Sequence, residues 1–321
     1  MLIGRRAALA TALALPAPAA LRAQEAWPAR TVRIIVPYAP GGGTDVSTRA
    51  VAEGLTAQFG RSFVVENRPG ANGIVGTEAV ARSAPDGYTL GAQTSTHVMA
   101  RHMGPLPYDP VTDFTPLALT ARYPLVLMAS MRAPFRDVAG LLAAARAQPG
   151  GIPQGTSDAQ SSFTAALFAA RAGVQLNEVP YRGSGAYLAD LTGGHLPVAW
   201  GSPATAAALV QSGQIRLIAV TSPERSPFMP EVPTLREAGV PGADFIGWFT
   251  LFGPANLPED VATRLNAAIN DFIGTPAAQA RWRTLGNETV RLTVPQLRQL
   301  FRDDDARWEQ AAREGLIRRQ G

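Results

Sequence analysis

The chain has 321 residues, 46% of them hydrophobic and 17% charged, and its formal net charge is only +4. It contains no cysteine and no lysine, so arginine is the basic side chain that stays protonated at neutral pH. The missing thiols exclude cysteine-based catalysis and cysteine-ligated metals, and a nearly neutral chain without a basic cluster is not typical of nucleic-acid binding. A chain of this length exceeds one hydrophobic core, so we expect two domains.

The first residues have the pattern of an export signal. Arg5 and Arg6 form a positive start, Ala7–Leu15 an apolar stretch, and Leu21-Arg22-Ala23 a small-residue cleavage site. The apolar stretch is shorter than the roughly 20 residues that a membrane-spanning helix needs. We therefore predict a signal peptide over residues 1–23 and a periplasmic location. The paired arginines permit a twin-arginine export route, and the general secretory route fits equally well.

Hydrophobic runs alternate with amphipathic stretches along the rest of the chain. The runs predict strands over Thr31–Val36, Ser62–Glu66, Tyr88–Ala92, Pro124–Ala129, Asn177–Pro180, Leu196–Trp200, Ile215–Val220 and Trp248–Phe252. The amphipathic stretches predict helices over Val46–Phe59, Val138–Ala147, Ser162–Arg171, Pro203–Ser212 and Glu259–Ile273. This alternation predicts an α/β fold of mostly parallel sheets with helices on both faces.

The first predicted strand runs into a glycine loop, Ile34-Ile-Val-Pro-Tyr-Ala-Pro-Gly-Gly-Gly-Thr-Asp45. Gly41, Gly42 and Gly43 carry no Cβ, so the loop can adopt positive φ and let a ligand reach its peptide N–H groups. Thr44 is a candidate cap for the helix that follows. The free N–H groups and the dipole of a helix start favour a carboxylate or phosphate. The alternative is a tight strand-to-helix turn without a ligand.

Residues at the ends of predicted strands are the candidate ligand contacts, because open α/β sheets bind ligands at the carboxyl ends of their strands. The candidates in the first part of the chain are Tyr38, Ala39, Gly42, Gly43, Thr44, Asn72, Gly73, Thr94, Ser95 and Thr96. For Asn72, turn formation explains the residue equally well. Thr94 to Thr96 can also cap a helix over His97–Met103.

Further candidates follow three strands in the second part of the chain. They are Ser157, Ser161, Tyr181, Arg182, Gly183, Ser184, Trp200 and Ser202. Helix starts at these points would offer hydroxyls and first-turn N–H groups. Arg182 is either a bidentate clamp for a carboxylate or a solvated side chain beside a turn. Tyr181 and Trp200 either form an apolar wall around the ligand or belong to the core.

No catalytic motif is present in the sequence. His97, His102 and His195 lack a metal-binding spacing such as H-E-x-x-H. The chain has no G-x-S-x-G elbow and no G-x-G-x-x-G motif, and its glycine loop lacks the lysine of a phosphate-binding loop. We therefore predict a protein that is not an enzyme and that uses no metal and no cofactor.

Several motifs occur in a fixed order: PGGGTD, VVENRPGANG, APDGYTL, YDPVTDFTPL, VPYRGSG and VPTLREAG, then Trp248 and GPANLPEDV. In this order they resemble the Bug family, the periplasmic solute-binding proteins of tripartite tricarboxylate transporters. The resemblance implies a two-lobed type II periplasmic-binding-protein fold with a ligand cleft between the lobes. It also implies a small carboxylate ligand held mainly by backbone amides, hydroxyls and water. Asp45 matches a position typical of the family, where it would hold the loop or receive an amino group.

The resemblance further implies where the lobes lie. Lobe one would comprise residues 27–123 and 249–321, and lobe two the inserted residues 124–248, with crossings near Leu117–Leu125 and Gly247–Phe252. Two runs depart from the family pattern, Gly193-Gly-His-Leu-Pro197 and Asp158-Ala-Gln-Ser-Ser162. Both belong to the lobe expected to choose the ligand, so the sequence leaves the solute open.

Together these features predict a monomeric receptor that captures a small organic acid. It would deliver the acid to the membrane permease subunits of an ion-gradient-driven tripartite tricarboxylate-type transporter. A ligand-sensing receptor for a sensor kinase is an alternative, because both functions need ligand-driven closure. An exported hydrolase is a third alternative, with less support.

Overall fold

A computed structural model of the chain describes residues 27–315 and residue 317. The predicted signal peptide, residues 1–23, lies outside the described residues. Within them, no helix combines the length and the apolar character needed to cross a bilayer.

The described residues alternate between strands and helices. The strands are β1 (Val32–Val36), β2 (Phe63–Asn67), β3 (Thr89–Thr94), β4 (Phe114–Pro124), β5 (Val126–Ser130), β6 (Pro153–Thr156), β7 (Asn177–Pro180), β8 (Val198–Gly201), β9 (Ile215–Val220) and β10 (Ile246–Pro254). The helices are α1 (Gly43–Phe59), α2 (Ile74–Ala81), α3 (Thr96–Met99), α4 (Val138–Ala147), α5 (Ala159–Ala172), α6 (Leu188–Gly193), α7 (Pro203–Gln211), α8 (Glu259–Ile273), α9 (Pro276–Thr284) and α10 (Val294–Arg313).

The strands form two five-stranded sheets with the same plan. The first has the order β2-β1-β3-β10-β4 and the second the order β7-β6-β8-β5-β9. In each sheet the first three strands are parallel, and the fourth, β10 or β5, is antiparallel to both neighbours. The predicted α/β fold with mostly parallel sheets is confirmed. We call the first sheet with its helices lobe one and the second sheet with its helices lobe two.

Each lobe has its own hydrophobic core. In lobe one, α8 buries Val261, Leu265 and Ile269 at helical spacing against the sheet. In lobe two, Trp200 and Phe168 are fully buried with their ring centroids 5.4 Å apart. Burial of aromatic rings contributes strongly to such cores.

The chain passes between the lobes twice, from β4 to β5 and from β9 to β10. Leu125 alone separates β4 from β5. The hydroxyl of Thr221 accepts a hydrogen bond from the Leu125 N–H at 2.8 Å and donates one to the Phe245 carbonyl at 2.6 Å. Both passages are therefore tied together at one residue.

The positions of these passages differ slightly from the expected ones. The expected crossing near Leu117–Leu125 mostly overlaps β4, which belongs to the first sheet up to Pro124. The expected crossing near Gly247–Phe252 lies inside β10, which already pairs with β4 at Ile246. The lobe boundaries taken from the resemblance stay a prediction.

Candidate functional site

A small polar cavity lies between the two lobes. Lobe one contributes Gly43, Thr44, Thr94, Tyr123 and Phe249 to its lining, and lobe two contributes Ser157, Asp158, Gln160, Ser161, Ser184, Gly201 and Ser202. None of the described residues in this lining is basic. A bound molecule would therefore meet peptide groups, hydroxyls, one amide and one carboxylate. We call this space the interlobe cavity.

Helix α1 begins at the edge of the interlobe cavity. Its N-cap is Gly42, and in the glycine loop only Gly41 has a positive φ, +82°. The expectation that Thr44 caps α1 is wrong, because Thr44 lies in the first turn and lines the cavity. The helix is 17 residues long, and its first residues, Gly43 and Thr44, line the cavity. The positive end of its dipole therefore lies at the cavity wall.

Gly42 and Gly43 allow the two lobes to approach each other. A Cβ on Gly43 would lie 1.9 Å from the Ser202 Oγ, and a Cβ on Gly42 would lie 2.7 Å from the Ser184 Oγ. The Gly43 N–H donates to the Thr205 Oγ1 at 2.8 Å, across the lobe boundary. These two glycines are therefore required by contact between lobes, whereas backbone conformation requires glycine only at position 41.

Asp45 holds the glycine loop in place. Its carboxylate accepts hydrogen bonds from the Gly41 N–H at 3.0 Å and the Asn67 amide at 2.9 Å, and it pairs with Arg49 at 2.9 Å. Burial alone would raise the pKa of Asp45, but these partners lower it below its ordinary value. The sequence left two roles open for Asp45, to hold the loop or to receive an amino group of the ligand. These contacts agree with the first role.

Helix α5 enters the cavity from lobe two through a capping box. The Ser161 N–H donates to the Asp158 Oδ1 at 2.8 Å, and the Ser161 hydroxyl accepts from the Asp158 N–H at 3.1 Å and from the Ser157 N–H at 2.9 Å. The cap fixes the side chains of both Asp158 and Ser161 at the cavity wall. Burial raises the pKa of Asp158, although the hydrogen bonds from Ser161 oppose that shift.

Gln160 connects α5 to lobe one. Its Nε2 donates to the Tyr123 hydroxyl at 2.9 Å, and its Oε1 accepts from the Ser95 hydroxyl. Its backbone N–H donates to the Thr96 Oγ1 at 3.4 Å. One side chain of lobe two is thus bonded to two elements of lobe one.

Helix α7 brings a second group of hydroxyls to the cavity. Ser202 caps α7 by accepting from the Thr205 N–H at 3.3 Å. The Thr205 Oγ1 lies 3.1 Å from both the Ser202 Oγ and the Ser184 Oγ. Three hydroxyls therefore cluster against the first turn of α1.

Several predicted contacts on lobe two lie away from the cavity. Arg182 is exposed, and its carbonyl accepts from the Ala39 N–H at 3.0 Å. The Tyr181 hydroxyl donates to Asp190 at 2.7 Å, and the Trp200 indole donates to Gln154 at 3.0 Å within the core. A Cβ on Gly183 would lie 2.6 Å from the Ala39 nitrogen.

On lobe one, other candidates surround the cavity without lining it. The Tyr38 hydroxyl donates to the Gln93 side chain. Asn72 has a φ of +53° and lines a separate cavity, which Ala159 of lobe two also lines. Gly73 has a φ of +93°. Both residues therefore have the positive φ of a turn, which agrees with the alternative that Asn72 is there to form a turn. The helix expected over His97–Met103 is α3 followed by a 3₁₀ turn over Ala100–His102.

Sequence patterns pointed to Gly43, Thr44, Thr94, Ser157, Ser161, Ser184 and Ser202 of the lining. Asp158 and Gln160 lie in the same candidate segment as Ser157 and Ser161 but were not singled out, although a polar residue at a helix start, such as Asp158, is a recognisable signal. Thr205, which bonds to Ser184 and Ser202 of the lining, was not among the candidates. Tyr123 and Phe249 were also missed, because each resembles an ordinary core aromatic residue. The ligand-contact role of all these residues stays a prediction.

No group of three or more His, Asp or Glu side chains in residues 27–315 and 317 is arranged to hold a metal ion. The groups available to bind a ligand at this site are the N–H groups of helix starts, hydroxyls and one carboxylate. Two similar lobes on either side of such a cavity are typical of a two-lobed binding protein for a small solute.

The chain belongs to the tripartite tricarboxylate transporter family of receptors, whose family model matches residues 47–316. It is 33% identical to the protein BugT of Bordetella pertussis over 90% of each chain. A solved R. palustris structure with adipate has 33% identity and a TM-score of 0.87, and covers 92% of this chain and 100% of its own. MatC from Rhodopseudomonas palustris with bound malate has 30% identity and a TM-score of 0.84, and the match covers 89% of this chain and 100% of MatC.

These matches confirm the resemblance to the Bug family and the two-lobed fold. They also confirm the predicted class of function, because the family consists of periplasmic solute-binding receptors.

Proposed function

We propose that this receptor captures a small organic acid in the interlobe cavity, with a carboxylate of the ligand at the first turn of α1. The observation that carries the proposal is that the starts of α1, α5 and α7 meet at one polar cavity between the lobes. Helix starts favour anions because their first N–H groups lack partners within the helix and their dipoles are positive there.

The polar groups of the cavity support a carboxylate ligand that is held by neutral hydrogen-bond donors. The lining offers Thr44, Ser157 and Ser184 hydroxyls and no basic side chain among the described residues. Peptide N–H groups and hydroxyls can bind an anion without a buried arginine and its desolvation cost. The structural relatives with adipate and malate bind carboxylates, which agrees with this proposal.

The direct test is isothermal titration of the mature protein with mono- and dicarboxylates. The protein is first unfolded and refolded, so that any ligand acquired during expression is removed. We expect at least one organic acid to bind with a 1:1 stoichiometry. Failure of every acid in a broad panel to bind would contradict the proposal.

We further propose that the receptor acts as a monomer, with lobe one over residues 27–123 and 249–321 and lobe two over residues 124–248, apart from Pro124 and the start of β10, which pair in the first sheet. It would pass its ligand to the membrane permease subunits of a tripartite tricarboxylate-type transporter. Uptake of the radiolabelled ligand by cells that express the permease with and without this receptor tests the delivery. Uptake that is independent of the receptor would contradict it.

Export is the third part of the proposal. We expect secretion to the periplasm with removal of residues 1–23, so that the mature chain begins at Gln24. Intact-mass spectrometry of the periplasmic protein measures this start. A chain that retains Arg5 and Arg6 would contradict cleavage, and dependence on the twin-arginine or the general secretory machinery would identify the route.

Absence of catalysis is also proposed. Incubation with panels of esters and amides should give no product, because the described lining holds no histidine or lysine that could act as the base for its serines. Turnover above background would contradict a pure binding function.

A further inference from the structure

Asp158 is an unusual component of the interlobe cavity. Among the described residues that line this cavity, it alone carries a carboxyl group. It is the N-cap of α5, and only 8% of the residue is exposed. A carboxylate taken out of water in this way normally has a positive partner.

The start of α5 offsets part of this charge through its dipole, but no cationic side chain among the described residues pairs with Asp158. Its carboxylate accepts the Ser161 N–H at 2.8 Å. None of the ion pairs within residues 27–315 and 317 includes it. The titratable groups in its field are the hydroxyls of Tyr38, Tyr123 and Tyr187, in each of which burial and then the charge of Asp158 raise the pKa. These phenols are neutral, so they do not balance the carboxylate.

The opposite wall of the cavity has the reverse character. Gly43 and Thr44 form the first turn of α1 there, where the helix dipole is positive. A ligand with a second carboxylate beside Asp158 would place like charges together in a site with little water, which is unfavourable. A ligand with a cationic group at that end would give a neutral, hydrogen-bonded pair.

We propose that the ligand carries a protonated amino group in addition to its carboxylate, and that Asp158 accepts hydrogen bonds from this ammonium. The inference rests on the proposed function, because it assumes that a carboxylate occupies the first turn of α1. The expected ligand is therefore a zwitterionic amino acid. Asp158 thereby selects amino acids over simple organic acids.

The test compares acids that differ only in the amino group, alanine against propionate and aspartate against succinate. Each is titrated at pH 7 into refolded wild-type protein and into Asp158→Asn. Asn retains the helix cap and the size of the side chain but removes the charge. In the wild type we expect the amino member of at least one pair to bind at least tenfold more tightly. In Asp158→Asn we expect this preference to fall below threefold.

Asp137→Asn is the matched control, because Asp137 caps α4 by accepting the Gly140 N–H at 2.8 Å on the exposed surface. It should keep the full amino preference. Equal or tighter binding of the acid without the amino group in the wild type would overturn the inference and leave the proposed function standing. Retention of the amino preference in Asp158→Asn would overturn the role of Asp158. Failure of all four probes and of the wider carboxylate panel would overturn the proposed function itself.

Discussion

His97 is a buried ring packed against Phe114, Phe252 and Phe301, at centroid distances of 4.8, 4.7 and 5.3 Å. Burial lowers the pKa of its imidazole to about 4, so the folded protein keeps this ring neutral where an unfolded chain protonates it. The unfolded state therefore binds more protons between pH about 6.5 and about 4. The stability that depends on the neutral ring is present above pH about 6.5 and is lost as the pH falls toward 4.

We expect His97→Leu to reduce the pH dependence of stability. From this one group, the wild type should lose about 2 kcal/mol of unfolding free energy between pH 7 and pH 5, and the variant should not. Urea denaturation at both pH values measures the difference, because the other titrating groups are shared by the two proteins. Equal losses in both proteins would mean that His97 is protonated in the folded state.

At the scale of single elements, the start of α1 depends on Asp45. Its buried carboxylate accepts hydrogen bonds from the Gly41 N–H, the Asn67 amide at the end of β2, and Arg49. Removal of this acceptor takes the partner from the Gly41 N–H and leaves the Asn67 amide with its bond to the Tyr38 carbonyl, which costs more than the loss of an exposed ion pair.

We therefore expect Asp45→Ala to lower the unfolding free energy by about 2–4 kcal/mol. Arg49→Ala is the control, since its side chain is half exposed and the surface part of the pair should be worth about 1 kcal/mol or less. Chemical denaturation of both variants tests the difference. Losses of the same size would show that the hydrogen bonds to Gly41 and Asn67 add nothing to the ion pair.

The elements that the sequence predicted are those with a strong hydrophobic period. The helices over 138–147 and 259–273 and the strands over 177–180 and 215–220 have the predicted bounds. The patterns missed β4, which contains Pro116 and has register shifts opposite β10, and β6, whose sequence is PQGT. Pro and Gly weaken the strand signal, and pairing with neighbouring strands overrides it. The helices α2, α6, α9 and α10 were also absent from the prediction.

The site was predictable where local chemistry determines it. The glycine loop and the serines at helix starts have signals within a few residues of sequence. Thr205 does not, because its contact with Gly43 joins residues that are 162 positions apart. Gln160 bonds to Ser95 across 65 positions for the same reason. Contacts between lobes are set by tertiary packing, and a local pattern does not carry them.

At the scale of the whole molecule, Thr221 ties together the two passages between the lobes. Its hydroxyl accepts a hydrogen bond from the Leu125 N–H and donates one to the Phe245 carbonyl, and the residue is fully buried. The alternation of strands and helices predicts parallel strands, so it did not show that the chain passes between the lobes at β5 and β10. These two strands are antiparallel to both of their neighbours. Buried backbone groups without a partner are costly, so this hydroxyl has a structural role.

We expect Thr221→Val to lower the unfolding free energy by about 2–3 kcal/mol, because it leaves two buried backbone groups without a partner. Thr164→Val is the control, since the buried Thr164 hydroxyl bonds only to the Gln160 carbonyl of its own helix at 2.8 Å. That change should cost about 1 kcal/mol or less. Comparable losses in thermal or urea unfolding would contradict a special role for Thr221.

The most direct test of the account is titration of one bound acid into wild type, Gly43→Val and Arg182→Ala. Val at position 43 would place its Cβ 1.9 Å from the Ser202 Oγ and keep the lobes apart at the first turn of α1. We expect it to abolish binding while the protein stays folded, with some loss of stability because the same Cβ would lie 2.9 Å from the Phe249 ring of lobe one. Arg182 is exposed, so we expect Arg182→Ala to change the Kd by only a few-fold. Loss of binding in Arg182→Ala with normal binding in Gly43→Val would contradict the account, because an ion pair on lobe two would then hold the ligand.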